Sequence, residues 1–203
     1  MGERKFGDYR GGNYSEFEAD GTMIAHGNAR TFDDMQVNLG EVEGSGWLGT
    51  PGATVVAYRS GSALLFENST TDGYKIRFNC QITHKYAEGE NIEFHLHIGN
   101  NSATSGNSVF KLTYEWANME GTFPTATSTS TTVAIDGTDG KHQVEEVIAS
   151  ITGTSKEISS ILLCTLERVA DDASDTFGED IYVIGLDFHV PTDSIGSRLI
   201  GTK

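Results

Sequence analysis

The chain has 203 residues, a formal net charge of −15, 37% hydrophobic residues and 21% charged residues. This composition is typical of a soluble globular protein, and the length suits one domain with its own core. The negative charge repels phosphates and argues against nucleic-acid binding by the body of the protein. The sequence has no apolar start and no run of about eighteen apolar residues, so we expect neither a signal peptide nor a membrane span.

Residues 1–15 are polar and Gly-rich, with aromatic and basic side chains interleaved. Three basic and two acidic residues give this segment a net charge of +1, which leaves −16 for the remainder. We interpret residues 1–15 as an N-terminal arm and residues 16–203 as a single domain. Two readings stay open, a disordered tail and an arm that docks on a partner. In the second reading the docking side chains are Arg4, Lys5, Phe6, Tyr9, Arg10 and Tyr14.

After residue 50 the chain consists of short apolar runs separated by turn residues. In residues 74–82 apolar and polar side chains alternate with a period of two, which predicts a half-buried β-strand. We predict further strands at residues 53–58, 63–67, 92–98, 108–117, 127–137, 160–169 and 181–190. A Ser- and Gly-containing turn joins the first two of these as a hairpin. The pattern predicts an all-β fold, an antiparallel β-sandwich or barrel.

Residues 141–151 break this pattern. Their apolar side chains recur at helical spacing, and these are Val144, Val147, Ile148 and Ile151. Periodicity alone therefore predicts a helix, but it would be a single helix among strands, so strand and helix both stay open here.

The run IEFHLHIGNN places His95 and His97 on one strand face and apolar side chains on the other. Two histidines at i and i+2 can meet one metal ion, and with Gly89 they resemble the opening of the cupin metal motif. That motif's acidic ligand should fall at the positions occupied by Asn101 and Ser102. Two imidazoles without a carboxylate make a poor metal site, so we predict no metal and no cofactor.

A site completed from other strands stays open as an alternative. His189 and Asp187 alternate on the outer face of their strand, and Glu115 lies outward on its own. Antiparallel sheets with one solvent-facing side commonly carry such residues without function. We therefore interpret the two histidines of the IEFHLHI run as the solvent-facing side of a strand.

Signatures of common enzymes do not occur: the sequence has no G-x-S-x-G elbow, no P-loop and no H-E-x-x-H. We predict no catalytic residues and no enzyme. The acidic residues 171–180 offer oxygen ligands for Ca²⁺ but lack the order of an EF-hand, so we interpret them as a solvated turn. Trp47 lies in a Gly-rich loop, where an exposed indole could stack on a sugar.

Four motifs follow one another along the chain, E-x-D-G-T-M-x-A-x-G-x-A, E-G-x-x-I-x-x-H-x-H, Y-x-W-A-N and D-F-H-x-x-x-D-x-x-G-S-R. Their order resembles a family of virion structural proteins of tailed bacteriophages, over about residues 6–203. The resemblance implies a jelly roll, in which eight antiparallel strands form two packed sheets. It also implies a strand at residues 141–151.

The resemblance implies a non-enzymatic virion protein, made in the host cytoplasm and located in the virion. Our leading hypothesis is a capsid decoration (cement) protein, a homotrimer of jelly rolls whose N-terminal arm binds the major capsid protein. The alternative is a tail-fibre or receptor-binding head in which Trp47 and the loops touch a host surface glycan. A third hypothesis is a cupin-like metal enzyme that uses His95 and His97. The fold alone does not choose between these functions.

Overall fold

The computed structural model describes residues 4–18, 21–37, 52–69, 74–197 and 200–201. β-Strands make up most of these residues, as the sequence predicts. Within these ranges, no helix has the length and apolar character needed to cross a membrane.

We number the described strands in chain order. The strands before residue 60 are β1 (Arg4–Asp8), β2 (Asn13–Phe17), β3 (Met23–His26), β4 (Thr31–Gln36) and β5 (Thr54–Tyr58). The later strands are β6 (Gly61–Phe66), β7 (Lys75–Gln81), β8 (Ile92–Gly99), β9 (Gly106–Ala117), β10 (Thr127–Ile135), β11 (His142–Ile151), β12 (Ile161–Arg168) and β13 (Ile181–Thr192). A single 3₁₀ turn, Gly27–Ala29, precedes β4.

The strands from β6 to β13 form a jelly roll. One sheet, which we call the front sheet, has the order β11-β8-β13-β6-β5, and β4 also pairs with β13. The facing back sheet has the order β10-β9-β12-β7. Apart from the β9–β10 hairpin, each strand lies in the opposite sheet from the strand before it, and neighbouring strands are antiparallel. This wrapped order confirms the predicted all-β jelly-roll sandwich.

The core lies between the front and back sheets, where the alternating apolar side chains meet. The ring of Phe94 in β8 lies 5.0 Å from that of Phe188 in β13 and 5.7 Å from that of Phe78 in the back sheet. All three are buried, and burying a side chain of this size stabilises a fold by roughly 1.5–3 kcal/mol. A one-residue slip of β8 would bring its histidines into this core, so packing fixes the strand register.

Residues 141–151 contain the strand β11, as the resemblance implies, and the helix that periodicity predicts is wrong. The register between β11 and β8 shifts in the middle of the strand, which places extra β11 residues opposite β8. The shift changes which side chains face the core. Val144 and Val147 are exposed, whereas Ile148 and Ile151 are buried. The bulge therefore produces a helix-like spacing in a strand.

Strands β1, β2 and β3 form a small antiparallel sheet, which we call the N-terminal sheet. The predicted boundary between residues 15 and 16 falls inside β2, and the described part of residues 1–15 pairs as β1 and β2 from Arg4 onward. An isolated bridge between Ile24 and Ser194 connects β3 to the chain that follows β13. Main-chain hydrogen bonds between these short strands order a segment whose sequence shows no clear strand pattern.

A polar cluster around Glu16 stabilises one face of the N-terminal sheet. Its Oε1 accepts a hydrogen bond from His26 at 2.7 Å, and its Oε2 lies 3.1 Å from the Lys5 ammonium. The bond from His26, followed by that from Lys5, holds the pKa of Glu16 below its ordinary value. Tyr14 stacks on His26 with ring centroids 4.4 Å apart. Lys5 and Tyr14, both predicted to dock on a partner, thus make contacts within their own sheet.

A buried ion pair closes one end of the sandwich. Arg168 occupies an inward position of β12, and its side chain and that of Asp175 are fully buried. The guanidinium donates to both carboxylate oxygens of Asp175. It also donates to the main-chain oxygens of Phe66, Phe177 and Glu179. These bonds satisfy a charge whose burial without a partner would be strongly destabilising.

We expect Arg168→Met to lower the free energy of unfolding by about 3–5 kcal/mol, because it leaves the Asp175 carboxylate buried without its charge partner. Chemical denaturation followed by circular dichroism measures this change. Arg59→Met removes an exposed pair with Asp139 and serves as the control, since both of those side chains are more than half exposed. Equal unfolding midpoints for the two variants would contradict this expectation.

We expect acid to loosen the N-terminal sheet before the sandwich. The folded pKa of Glu16 lies below its unfolded value, so its contribution is complete above the ordinary value of 4.5 and is lost as pH falls through the folded pKa. Amide hydrogen exchange, corrected for intrinsic rates, should therefore accelerate more in β2 than in β13 on acidification. Glu16→Gln should remove this extra pH dependence, and a β2 profile unchanged by that substitution would refute the assignment.

Candidate functional site

The outer face of the front sheet gathers four histidines and two aspartates from four strands. The register places Asp187 opposite His95, and His189 opposite Asp34. The complete set is Asp34, His95, His97, His142, Asp187 and His189. The structure thus brings together the three histidines that the sequence left as a candidate group and adds His142 to them.

Asp187 lies at the centre of this face and is only 4% exposed. Its Oδ2 accepts a hydrogen bond from Nε2 of His97 at 2.8 Å. Its Oδ1 lies 3.6 Å from Nδ1 of His95, which is too far for a hydrogen bond. The ring of His95 is 5.2 Å from that of His189, and its side chain is 12% exposed. The interpretation of this strand side as solvent-facing is therefore wrong at Asp187 and His95.

His97 connects Asp187 to His142. Its Nδ1 lies 2.9 Å from Nε2 of His142, and the two rings stack with centroids 5.1 Å apart. A carboxylate only accepts, so Nε2 of His97 carries a proton. In the neutral ring, Nδ1 of His97 must then accept the Nε2 proton of His142. Two imidazole N–H groups are thus committed to bonds inside the protein.

A cleft opens beside these hydrogen bonds. β6 pairs with β13 at residues 181–183, and β4 pairs with the same edge of β13 at residues 187–192. Ile184 and Gly185 lie between the two pairings, where the register of β13 against β8 also shifts. The resulting cleft has a volume of about 700 Å³. Its polar lining side chains are Gln36, His97, His142 and Asp187.

Gly185 allows His97 to approach β13. A Cβ atom at this position would lie 3.3 Å from Cβ of His97 and 3.4 Å from its ring. These contacts are tight, so a larger residue would require the His97 side chain to shift by a few tenths of an ångström relative to Asp187.

Two buried polar atoms of this face have no hydrogen-bond partner among the described residues, Nε2 of His95 and Oδ1 of Asp187. Buried polar atoms are hydrogen-bonded in the great majority of cases. Both atoms lie below the solvent-accessible surface of this face, so they are unsatisfied groups of the interior and not open contact points for a ligand.

A metal ion has no ligand set in the described part of the chain, where no group of three or more His, Cys, Asp or Glu side chains is arranged to hold one. Glu115, named with the outward residues of the sequence alternative, lies on β9 in the back sheet and not near His95. The described residues therefore provide no arrangement of metal ligands that would support the cupin-like hypothesis.

The predicted docking residues lie on the N-terminal sheet and its β1–β2 turn, and none of them lines the cleft. The rings of Phe6 and Phe17 meet edge to face at 6.1 Å, and both are exposed. The guanidinium of Arg10 lies 5.9 Å from the ring centroid of Tyr9, and Arg4 is exposed on β1. A docking role for these side chains stays a prediction.

The acidic residues 171–180 form no solvated turn at Asp175, which is bound to Arg168 inside the protein. Asp180 accepts a hydrogen bond from the main-chain N–H of Asn68 through Oδ1. The Arg168 guanidinium thus neutralises the charge of Asp175 inside the protein. Trp47, the predicted sugar-stacking residue, lies outside the described residues.

Sequence reasoning missed Gln36, His142 and Gly185 as parts of a site. The pattern of β13 contains one usable signal, since its alternation breaks at Ile184 and Gly185, and an isolated glycine in a strand indicates a bulge or a close approach. His142 carries no comparable signal, because its neighbours across the sheet depend on a register that the sequence does not reveal.

No protein-family model and no curated protein matches the sequence. Similar solved structures include the CBM22-2 xylan-binding domain of Paenibacillus barcinonensis Xyn10C, with 14% identity, 77% of this chain and 98% of that chain covered, and a TM-score of 0.42. The C-terminal family 22 carbohydrate binding module of Clostridium thermocellum Xyn10B has 13% identity, 77% and 91% coverage, and a TM-score of 0.41. At these values the likenesses carry no argument about function, and strand order alone assigns the jelly roll.

We expect Asp187→Ala to release the tautomer of His97, because the carboxylate is what holds the proton on Nε2. Long-range ¹H–¹⁵N correlation spectra of the imidazoles at alkaline pH should show a mixture of tautomers in the variant and one tautomer in the parent protein. Asp34→Ala removes a carboxylate from the same face without touching His97 and should leave its signals unchanged. A single Nε2–H tautomer persisting in Asp187→Ala would disprove this role.

Proposed function

We propose that this jelly roll is a non-catalytic carbohydrate-binding module whose ligand lies in the cleft beside Ile184 and Gly185. The observation that carries the proposal is the cleft of about 700 Å³ with Gln36, His97 and Asp187 in its lining. Small-molecule sites typically measure ~300–1,000 Å³ and combine apolar walls with a few well-placed polar groups. The proposal corresponds to the glycan-recognition alternative, with the ligand on the sheet face instead of the Trp47 loop.

The polar groups of the cleft suit sugar hydroxyls. Each hydroxyl group both donates and accepts, so neighbouring hydroxyls can pair with a carboxylate oxygen and a side-chain amide at once. Gln36, which lies opposite Asp187 in the β4–β13 register, is exposed and provides such an amide in the cleft lining. Ile184 lines the same cleft, is half-buried, and can contact the C–H groups of a sugar ring.

An exposed aromatic side chain offers an extension of the site. Phe32 of β4 is 63% exposed, and its ring meets that of His189 edge to face at 4.5 Å. It lies on the same β4 strand as Gln36, four residues earlier and hence on the same face. A ligand longer than the cleft could place a further sugar ring against Phe32, as aromatic faces pack well on apolar C–H surfaces.

The geometry supports binding rather than cleavage. Glycoside hydrolysis ordinarily uses two carboxyl groups on either side of the scissile bond. Among the described residues that line the cleft, Asp187 is the single carboxylate, and it is hydrogen-bonded to His97.

The side chains that line the cleft lie on strands, and neighbouring side chains fix their orientation. Little conformational entropy is therefore lost when a ligand binds.

The setting in a virion rests on the sequence resemblance alone. A receptor-binding head on a phage particle would use such a cleft to hold a host surface glycan. Capsid decoration, with the major capsid protein as partner and a homotrimer as the assembly, stays a second prediction that the cleft does not require.

We expect a glycan array to give hits with the full chain, and Gln36→Ala to weaken binding to those glycans about tenfold or more, since it removes hydrogen bonds to the ligand. Isothermal titration calorimetry measures the dissociation constants. Gln81→Ala makes the same substitution on the exposed face of the back sheet and should leave them unchanged. A silent array, or equal binding by the two variants, would overturn the proposal.

A further inference from the structure

We infer that the cleft selects uncharged sugars and rejects sugars that carry a carboxylate or sulfate group. This inference rests on the proposed function and adds the ligand class. It follows from which hydrogen-bond donors, acceptors and charges the cleft has left to offer.

The imidazole donors that face the cleft are already used. Nε2–H of His97 donates to Asp187, and Nε2–H of His142 donates to His97 when both rings are neutral. A ligand anion would have to draw these donors away from their present acceptors. The Asp187 carboxylate beside them only accepts hydrogen bonds, so it offers no donor to an anion.

Among the described residues that line the cleft, no cationic side chain is present to hold an anion. Its described lining contains neither Lys nor Arg. The acidic groups of the histidine-bearing face are Asp187, Asp34 and Glu93, and all three add negative charge to a chain that carries −15 overall. Recognition of carboxylates and sulfates ordinarily relies on Arg or Lys, so an acidic sugar would meet repulsion without compensation.

Burial strengthens this discrimination at one position in particular. The Asp187 side chain is 6% exposed, whereas that of Asp34 is 59% exposed. Water and salt screen the charge of Asp34, but they screen Asp187 far less. A ligand anion within a few ångström of Asp187 should lose about tenfold to a hundredfold in affinity relative to its uncharged counterpart.

The test compares matched pairs of glycans that differ only in one acidic group, such as sulfated and unsulfated forms of the same oligosaccharide. With the full chain at neutral pH, we expect the uncharged member of each bound pair to bind at least about tenfold more tightly. Equal affinities, or preference for the acidic member, would overturn the inference while leaving carbohydrate binding intact.

A pair of matched variants assigns the discrimination to one carboxylate. Asp187→Asn removes the charge but keeps an oxygen that accepts from His97, so the preference for uncharged glycans should fall about tenfold. Asp34→Asn makes the same change outside the cleft lining and should keep the preference of the parent protein. Retained preference in Asp187→Asn would refute the inference. Absence of binding to any glycan would instead refute the proposed function.

Discussion

The alternation of side chains along β8 and β13 is the constraint on which both the core and the site depend. On one face of these strands, apolar rings such as Phe94 and Phe188 pack against each other inside the sandwich. On the other face the same register brings His95 and His97 to Asp187. Because packing forbids a one-residue slip, the strands hold the polar group in position without any loop. Stability of the core and geometry of the site are thus consequences of one register.

Two departures from regular pairing turn that polar face into a site. The bulge at Ile184 re-aims β13, and the divergence of β4 from β6 leaves its edge open at the same point. Because Gly185 has no side chain, the His97 side chain lies close to β13 at this point. The other buried carboxylate discussed above, Asp175, is neutralised by Arg168 in the interior. The cleft is instead where a carboxylate keeps one oxygen without a hydrogen-bond partner among the described residues.

The sequence predicts the sandwich well because apolar and polar side chains alternate with a period of two in its strands, as in residues 74–82. The sequence does not predict the features that depend on how the strands pair with each other. The bulge in β11 imitates a helix, and the short strands of the N-terminal sheet carry no strong pattern. Alternation correctly places His95 and Asp187 on the outer face but says nothing about how neighbouring strands cover that face. Their burial, and the part played by His142, depend on contacts between strands that only the folded chain contains.

The most direct test of the cleft as the binding site is a ¹H–¹⁵N NMR titration with an uncharged oligosaccharide that binds. We predict that the amide signals of Ile184, Gly185 and Leu186 shift most, together with the imidazole signals of His97. Shifts clustered instead on the outer face of the back sheet, around Arg77 and Asn79, would contradict a ligand site beside Asp187.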